Sequence, residues 1–232
     1  VVAASAGNHA QGVAMSAAHF KIPAFIFMPV TTPEIKVRAV ASLGADVQLV
    51  GADFDETSAF AERFARETNR TYVHPFDDLH VIAGQGTVAT EIARQMDGEL
   101  DAVFVCVGGG GLLAGVSSYI KSLFPDVHIV SVEPEDAPTF HEARQHGQPV
   151  TLKSVGRFAD GVSVRRFGDM TYNIASTFTD DTVLVEHDEI CAAIRDVFEE
   201  TRSILEPSGA LAVAGLTKWI REHDWRGKRC VA

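Results

Sequence analysis

Apolar residues along the chain fall into two alternating patterns. Short, nearly continuous apolar runs rich in Val, Ile and Phe occupy residues 24–28, 46–50, 102–107 and 128–133, as expected of strands buried on both faces. Residues 1–4, 71–74 and 182–185 read as weaker strands of the same kind. Between these runs, apolar residues recur at helical spacing over 12–19, 87–96, 112–123, 188–201 and 210–222. Helix starts are marked by capping residues: Thr32 precedes Pro33 at the first helical position, and Asp53 stands three residues before Glu56, opening a helix through residue 67. Strand and helix alternate throughout, which predicts an α/β fold with parallel sheets joined by crossover helices. The stretch 75–86 reads as a loop, with four strand–helix units before it and a glycine-rich unit after it. It divides a small domain, 1–77, from a larger one, 78–232. A second irregular stretch, 148–166, is long for a compact domain and therefore a candidate functional loop.

Composition narrows the classes of partner. The 232 residues are 46% hydrophobic, enough for a substantial core, and carry a formal charge of -11 from acids scattered along the chain. With no Lys/Arg block, neither nucleic acid nor an anionic membrane is an expected partner. No apolar run approaches the roughly 20 residues that span a bilayer. Val1 follows no basic leader and is not Met, so the sequence is expected to begin inside a longer protein. Cys106, Cys191 and Cys230 are odd in number and far apart. They predict reduced core thiols in a reducing compartment rather than disulfides or zinc ligands.

Two glycine-bearing turns carry the candidate chemistry. Val107-Gly108-Gly109-Gly110-Gly111-Leu112 follows a strand and opens a helix, an arrangement in which successive backbone N–H groups and a helix N-terminus enclose a phosphate. The same residues leave a rival open: Gly109, Gly111 and Ala114 satisfy a G-x-G-x-x-A dinucleotide fingerprint, and Glu133 ends the next strand where a ribose-binding acid would stand. The second turn is Ser5-Ala6-Gly7-Asn8-His9-Ala10-Gln11-Gly12, between an apolar strand and a helix. Ser5 or Asn8 could serve there as a helix cap, or the turn could meet an anionic ligand at the carboxyl edge of the sheet. Both turns would then face one crevice.

These two turns, about a hundred residues apart, resemble the fold-type II pyridoxal-phosphate (PLP) enzymes, in the branch of threonine/serine dehydratases and serine racemases. Pro75-Phe76-Asp77, Ile82-Ala83-Gly84-Gln85-Gly86-Thr87, Ala159-Asp160-Gly161-Val162 and Glu206-Pro207-Ser208-Gly209-Ala210-Leu211 resemble that branch in the expected order. Phe54-Asp55-Glu56, Gly161-Val162-Ser163-Val164 and Ile190-Cys191-Ala192-Ala193 are similar to the biosynthetic threonine enzymes. The resemblance implies two three-layer α/β/α domains with mostly parallel sheets, of the tryptophan synthase β type, and PLP as cofactor. It places Asn8 against the hydroxyl of the cofactor ring, Gly108, Gly109, Gly110, Gly111 and Leu112 around its phosphate, and Glu206 facing it. Ser5, Ala6, Gly7 and His9 would hold the substrate carboxylate, with Phe76 as an apolar wall. His74 and His80 read as ordinary loop or helix-start residues.

The implied activity is β-elimination and deamination of L-threonine, with L-serine as a lesser substrate, in a cytoplasmic homo-oligomer, or an organellar one in a eukaryote. Serine dehydratase and serine racemase are the nearest alternatives. Racemase members carry Ser where this chain has Ala6, and without that hydroxyl no group reprotonates the second face of Cα, so elimination is favoured. The racemase branch also uses the acid matching Glu133 as a metal ligand together with a further carboxylate. Thr139 stands at that second position, and no metal site is expected.

The family's cofactor-linking lysine precedes the Ser-Ala-Gly-Asn turn, in a Lys-x-Arg-Gly-Ala context. Lys21, Lys36, Lys121, Lys153, Lys218 and Lys228 all follow that turn, without those neighbours. The catalytic lysine, and the Ser that pairs with the ring nitrogen, are therefore expected to lie outside these 232 residues.

Overall fold

The computed structural model describes residues 1–97 and 99–232. They form two compact units, Val1–Pro75 and Phe76–Ala232. In the first, strands β1 (Val2–Ala4), β2 (Phe25–Met28) and β3 (Asp46–Leu49) make a parallel sheet in that order. Helices α1 (Asn8–Phe20), α2 (Glu34–Ala41) and α3 (Phe54–Glu67) cover its faces. The period-2 alternation of strands decides which residue meets which helix. Ala3, Ile26 and Met28 join Ala10, Ala14 and Ala17 of α1 and Val40 of α2, whereas Val2, Ala4 and Phe27 join Ala61 and Ala65 of α3.

The second unit holds a four-stranded parallel sheet ordered β6-β5-β4-β7, from β4 (Ala102–Cys106), β5 (His128–Pro134), β6 (Asp181–Val185) and β7 (Cys230–Val231). Its helices are α4 (Leu79–Gln95), α5 (Gly111–Leu123), α6 (Thr139–His146), α7 (Asp169–Phe178), α8 (His187–Thr201) and α9 (Pro207–His223), with a 3-10 turn at Asp160–Val162. One sheet face, Ala102, Phe104, Val130, Val132, Val183 and Val185, packs on Ile190 of α8 and Leu211, Ala214 and Trp219 of α9. The other, Val103, Val105 and Ile129, packs on Ala89 of α4, Leu113, Val116 and Ile120 of α5, Phe140 of α6 and Ala175 of α7. Each unit is thus a three-layer α/β/α sandwich, the expected class.

Several local expectations fail for physical reasons. The stretch 75–86 is irregular only through residue 78: Asp78 accepts hydrogen bonds from the N–H groups of His80 and Val81 and starts α4 at Leu79. Gly84 and Gly86 lie inside that helix. A Cβ on Gly86 would stand 3.2 Å from the Gly115 carbonyl oxygen, and one on Gly115 2.4 Å from that of Ile82. The glycines therefore let α4 and α5 approach backbone to backbone instead of breaking the helix. Residues 71–74 contribute only a bridge from Tyr72 to Val2. Strand β3 is an edge strand whose Asp46, Gln48 and Leu49 are exposed, not a strand buried on both faces. Helix α2 begins one residue later than expected, with Pro33 rather than Thr32 as its cap. Cys191 is exposed on α8 and is no core thiol. Among the described residues no helix is long and apolar enough to cross a membrane.

Candidate active site

The tetraglycine turn leaves the carboxyl end of β4 and enters α5, where Gly110 is the N-cap with φ 95°. That left-handed backbone suits glycine alone at low cost. Each neighbour is confined as well. A Cβ on Gly108 would meet the Val162 backbone at 2.9 Å, one on Gly109 the Phe76 ring at 2.3 Å, and one on Gly110 the Phe167 ring at 2.1 Å. The space that side chains would need is filled from within by protein. The Phe76 ring therefore packs against the turn.

The hydrogen bonds at this turn run through carbonyl oxygens. The Thr139 hydroxyl donates to the Gly108 carbonyl at 2.9 Å, the Thr171 hydroxyl to the Gly109 carbonyl at 2.8 Å, and the Gly168 N–H to the same oxygen at 3.2 Å. The Gly110 carbonyl accepts from Ala114 N–H in the first turn of α5. The N–H groups of residues 109–112 have no protein acceptor among the described residues. A strand end, a helix N-terminus and a run of uncommitted donors together suit a phosphate.

Two further motifs meet near this edge. The Ser208 hydroxyl accepts from Gly161 N–H at 2.9 Å, joining the Asp160–Val162 turn to the start of α9. Glu206 is the N-cap residue of α9, with Pro207 at the first helical position, and its carboxylate makes no cap bond. It lies 3.7 Å from where a Cβ on Gly161 would sit. Burial pushes the Cys106 thiol up from its ordinary pKa, and the Glu206 charge adds to the rise.

Glu133, at the end of β5, is fully buried. Its carboxylate accepts from the N–H of Phe140 at 2.7 Å and of His141 at 2.8 Å, and lies 3.2 Å from the Thr139 hydroxyl. It caps α6 from a distance and is committed there. The dinucleotide reading, which needs this acid on a ribose, is thereby lost. Burial raises Glu133 to about 7, against the lowering effect of those three donors. The geometry supplies a reason: the single Thr139 proton lies between two acceptors, and a proton on Glu133 gives a relay, Glu133 to Thr139 to Gly108, in which each donor has its own acceptor.

In the first unit, Gly7 rather than Ser5 or Asn8 is the N-cap of α1, and no side chain bonds there in the capping sense. Ser5 Oγ accepts from Gly7 N–H at 3.2 Å, bending the turn, and Asn8 is exposed at the first position of α1. His9 Nε2 lies 3.0 Å from the Val73 carbonyl. That oxygen can only accept, so Nε2 carries the proton, and burial holds the His9 pKa below its ordinary value. The neutral ring is an anchor for the turn. A shallow depression of about 550 Å³ lined by Glu62, Arg66, Arg70 and Tyr72 lies near the amino end of β1, where Tyr72 bridges Val2. The Ser5–His9 turn leaves the other end of that strand.

The model of the pyridoxal-phosphate dependent enzymes matches residues 1–232. The chain belongs to that family. A biosynthetic L-threonine dehydratase of Pasteurella multocida is 50% identical over 231 residues, which are 100% of this chain and 45% of that protein. The processed form of threonine deaminase isoform 2 from Solanum lycopersicum superposes with a TM-score of 0.97 at 45% identity, over 100% of this chain and 64% of that one. Maize serine racemase matches with a TM-score of 0.93 at 31% identity, over 100% and 70%. The chain thus spans less than half the length of the curated dehydratase. Pyridoxal phosphate is the family's cofactor, and the tetraglycine turn fits its phosphate by the donor geometry above.

Proposed function

We propose that the protein containing these residues converts L-threonine to 2-oxobutanoate and ammonia, a step that commits threonine carbon to isoleucine. The observation that carries this reading is the 50% identity to a biosynthetic L-threonine dehydratase across the whole chain. Bound pyridoxal phosphate supplies the electron sink that lets an amino acid lose its Cα proton and then its β-substituent. The chain's own residues bind and orient. The N–H groups of residues 109–112 hold the phosphate, Glu206 faces the cofactor from the start of α9, and Asn8 offers an amide to the ring hydroxyl. Ser5, Gly7 and the turn that His9 anchors hold the substrate carboxylate through donors that do not titrate near neutrality. Ala6 offers no proton to the second face of Cα, which supports elimination over racemisation. A homo-oligomeric assembly in the cytoplasm, or in an organelle of a eukaryote, belongs to the same proposal; its support is the family resemblance and relatives named as bacterial, mitochondrial and chloroplastic enzymes.

Incubating the protein with L-threonine should release ammonia and 2-oxobutanoate in equal amounts, with L-serine turned over more slowly. Chiral chromatography of the serine reaction should show no appreciable D-serine. Rapid D-serine formation would overturn the argument from Ala6. Loss of turnover on replacing one of the six lysines by Arg would identify that lysine as catalytic and contradict the expectation that the cofactor-linking lysine lies outside these 232 residues.

A further inference from the structure

We infer that Thr139 and Thr171 are positioning residues for the anion site, because their hydroxyls hold the Gly108 and Gly109 carbonyls inward and so aim the Gly109 and Gly110 N–H groups outward. The inference rests on the reading of the tetraglycine turn as the phosphate site. In a trans peptide the carbonyl of one residue and the N–H of the next point in opposite directions, and no described peptide bond is cis. Fixing an oxygen therefore fixes the following donor. Glycine peptides need such fixing most, since they rotate with the least steric resistance. A hydroxyl on the carbonyl also polarises the peptide and strengthens its N–H as a donor.

Both threonines are 0% exposed, and each is held in turn by a remote carboxylate at a helix start. Thr139 opens α6, which Glu133 caps through Phe140 and His141 N–H. Thr171 is the third residue of α7, whose Asp169, Met170 and Thr171 N–H groups all donate to Asp77. The same device thus occurs twice, once for each of two successive glycine carbonyls. The supports differ in redundancy. The Gly109 oxygen keeps the Gly168 N–H if Thr171 is lost, whereas Thr139 is the donor that holds the Gly108 oxygen.

The test titrates the isotopically labelled 232-residue chain with inorganic phosphate and follows the amide resonances of residues 109–112. Thr139→Val should weaken phosphate binding about tenfold and Thr171→Val about threefold, the sizes expected for losing one buried hydrogen bond without and with a second donor. Thr139→Ser and Thr171→Ser keep the hydroxyl and should bind phosphate as the parent does. Folded valine variants with parent affinity would overturn the inference, as would serine variants as weak as the valine ones. Should a valine variant fail to fold, the serine variants decide: parent-like binding supports the inference and weakened binding overturns it. A parent chain whose 109–112 amides ignore phosphate overturns the phosphate reading together with this inference. A responsive parent beside equally responsive valine variants overturns the inference alone.

Discussion

Gly110→Ala should destabilise the chain by about 2–5 kcal/mol, combining the strain of a left-handed L-residue with overpacking of a filled core. The backbone there has φ 95°, and the new methyl would fall 2.1 Å from the ring of Phe167. That ring cannot retreat, because Phe167 is 0% exposed and lies tilted against Phe140 with centroids 4.9 Å apart. Gly147→Ala is the matched comparison: φ is 70° but nothing lies within 4 Å of its Cβ position, so only the strain of about 1–2 kcal/mol applies. Urea denaturation of both variants checks the difference. Equal losses would mean that the core around Phe167 yields, and that Gly110 is required for some other reason.

Glu133 should make the fold less stable as pH rises. Its pKa goes from 4.5 to about 7 on folding, so between those values the folded chain holds a proton that the unfolded chain has released. The stability is fully present below 4.5 and is lost as pH rises through 7, an effect of about 3 kcal/mol. Glu133→Gln cannot ionise. It sacrifices part of the cap on α6 at every pH, for about 1–3 kcal/mol, but lacks this slope. The stability difference between parent and variant should therefore shrink from pH 5 to pH 8. A difference that stays constant across that range would show that Glu133 is ionised throughout.

The sequence reveals most of the scaffold because period and apolar character act locally. The strands at 102–106 and 128–134, and helices α3, α5, α8 and α9, follow from patterns visible within a dozen residues. Helices α6 and α7 do not, since what starts them is distant: Glu133 caps α6 from the preceding strand, and Asp77 caps α7 across 92 residues. No local pattern carries that information. Glycine misleads in a related way. Gly84 and Gly86 count against a helix on propensity, yet Gly86 is where α4 meets α5. At the site, the tetraglycine turn is plain in the sequence, while nothing in the local sequence ties Thr139 and Thr171 to it. Their role exists only once chain folding brings them to the carbonyls of Gly108 and Gly109.

The walls around the tetraglycine turn have an evolutionary consequence. Gly108, Gly109 and Gly110 are each blocked by a different segment, at Val162, Phe76 and Phe167, so no single compensating substitution could free more than one of them. The scaffold polices this motif independently of any cofactor. A descendant that had abandoned catalysis altogether would still carry the glycines for as long as it kept the fold, and in such lineages drift should first appear at exposed Asn8, whose side chain the folded core does not require.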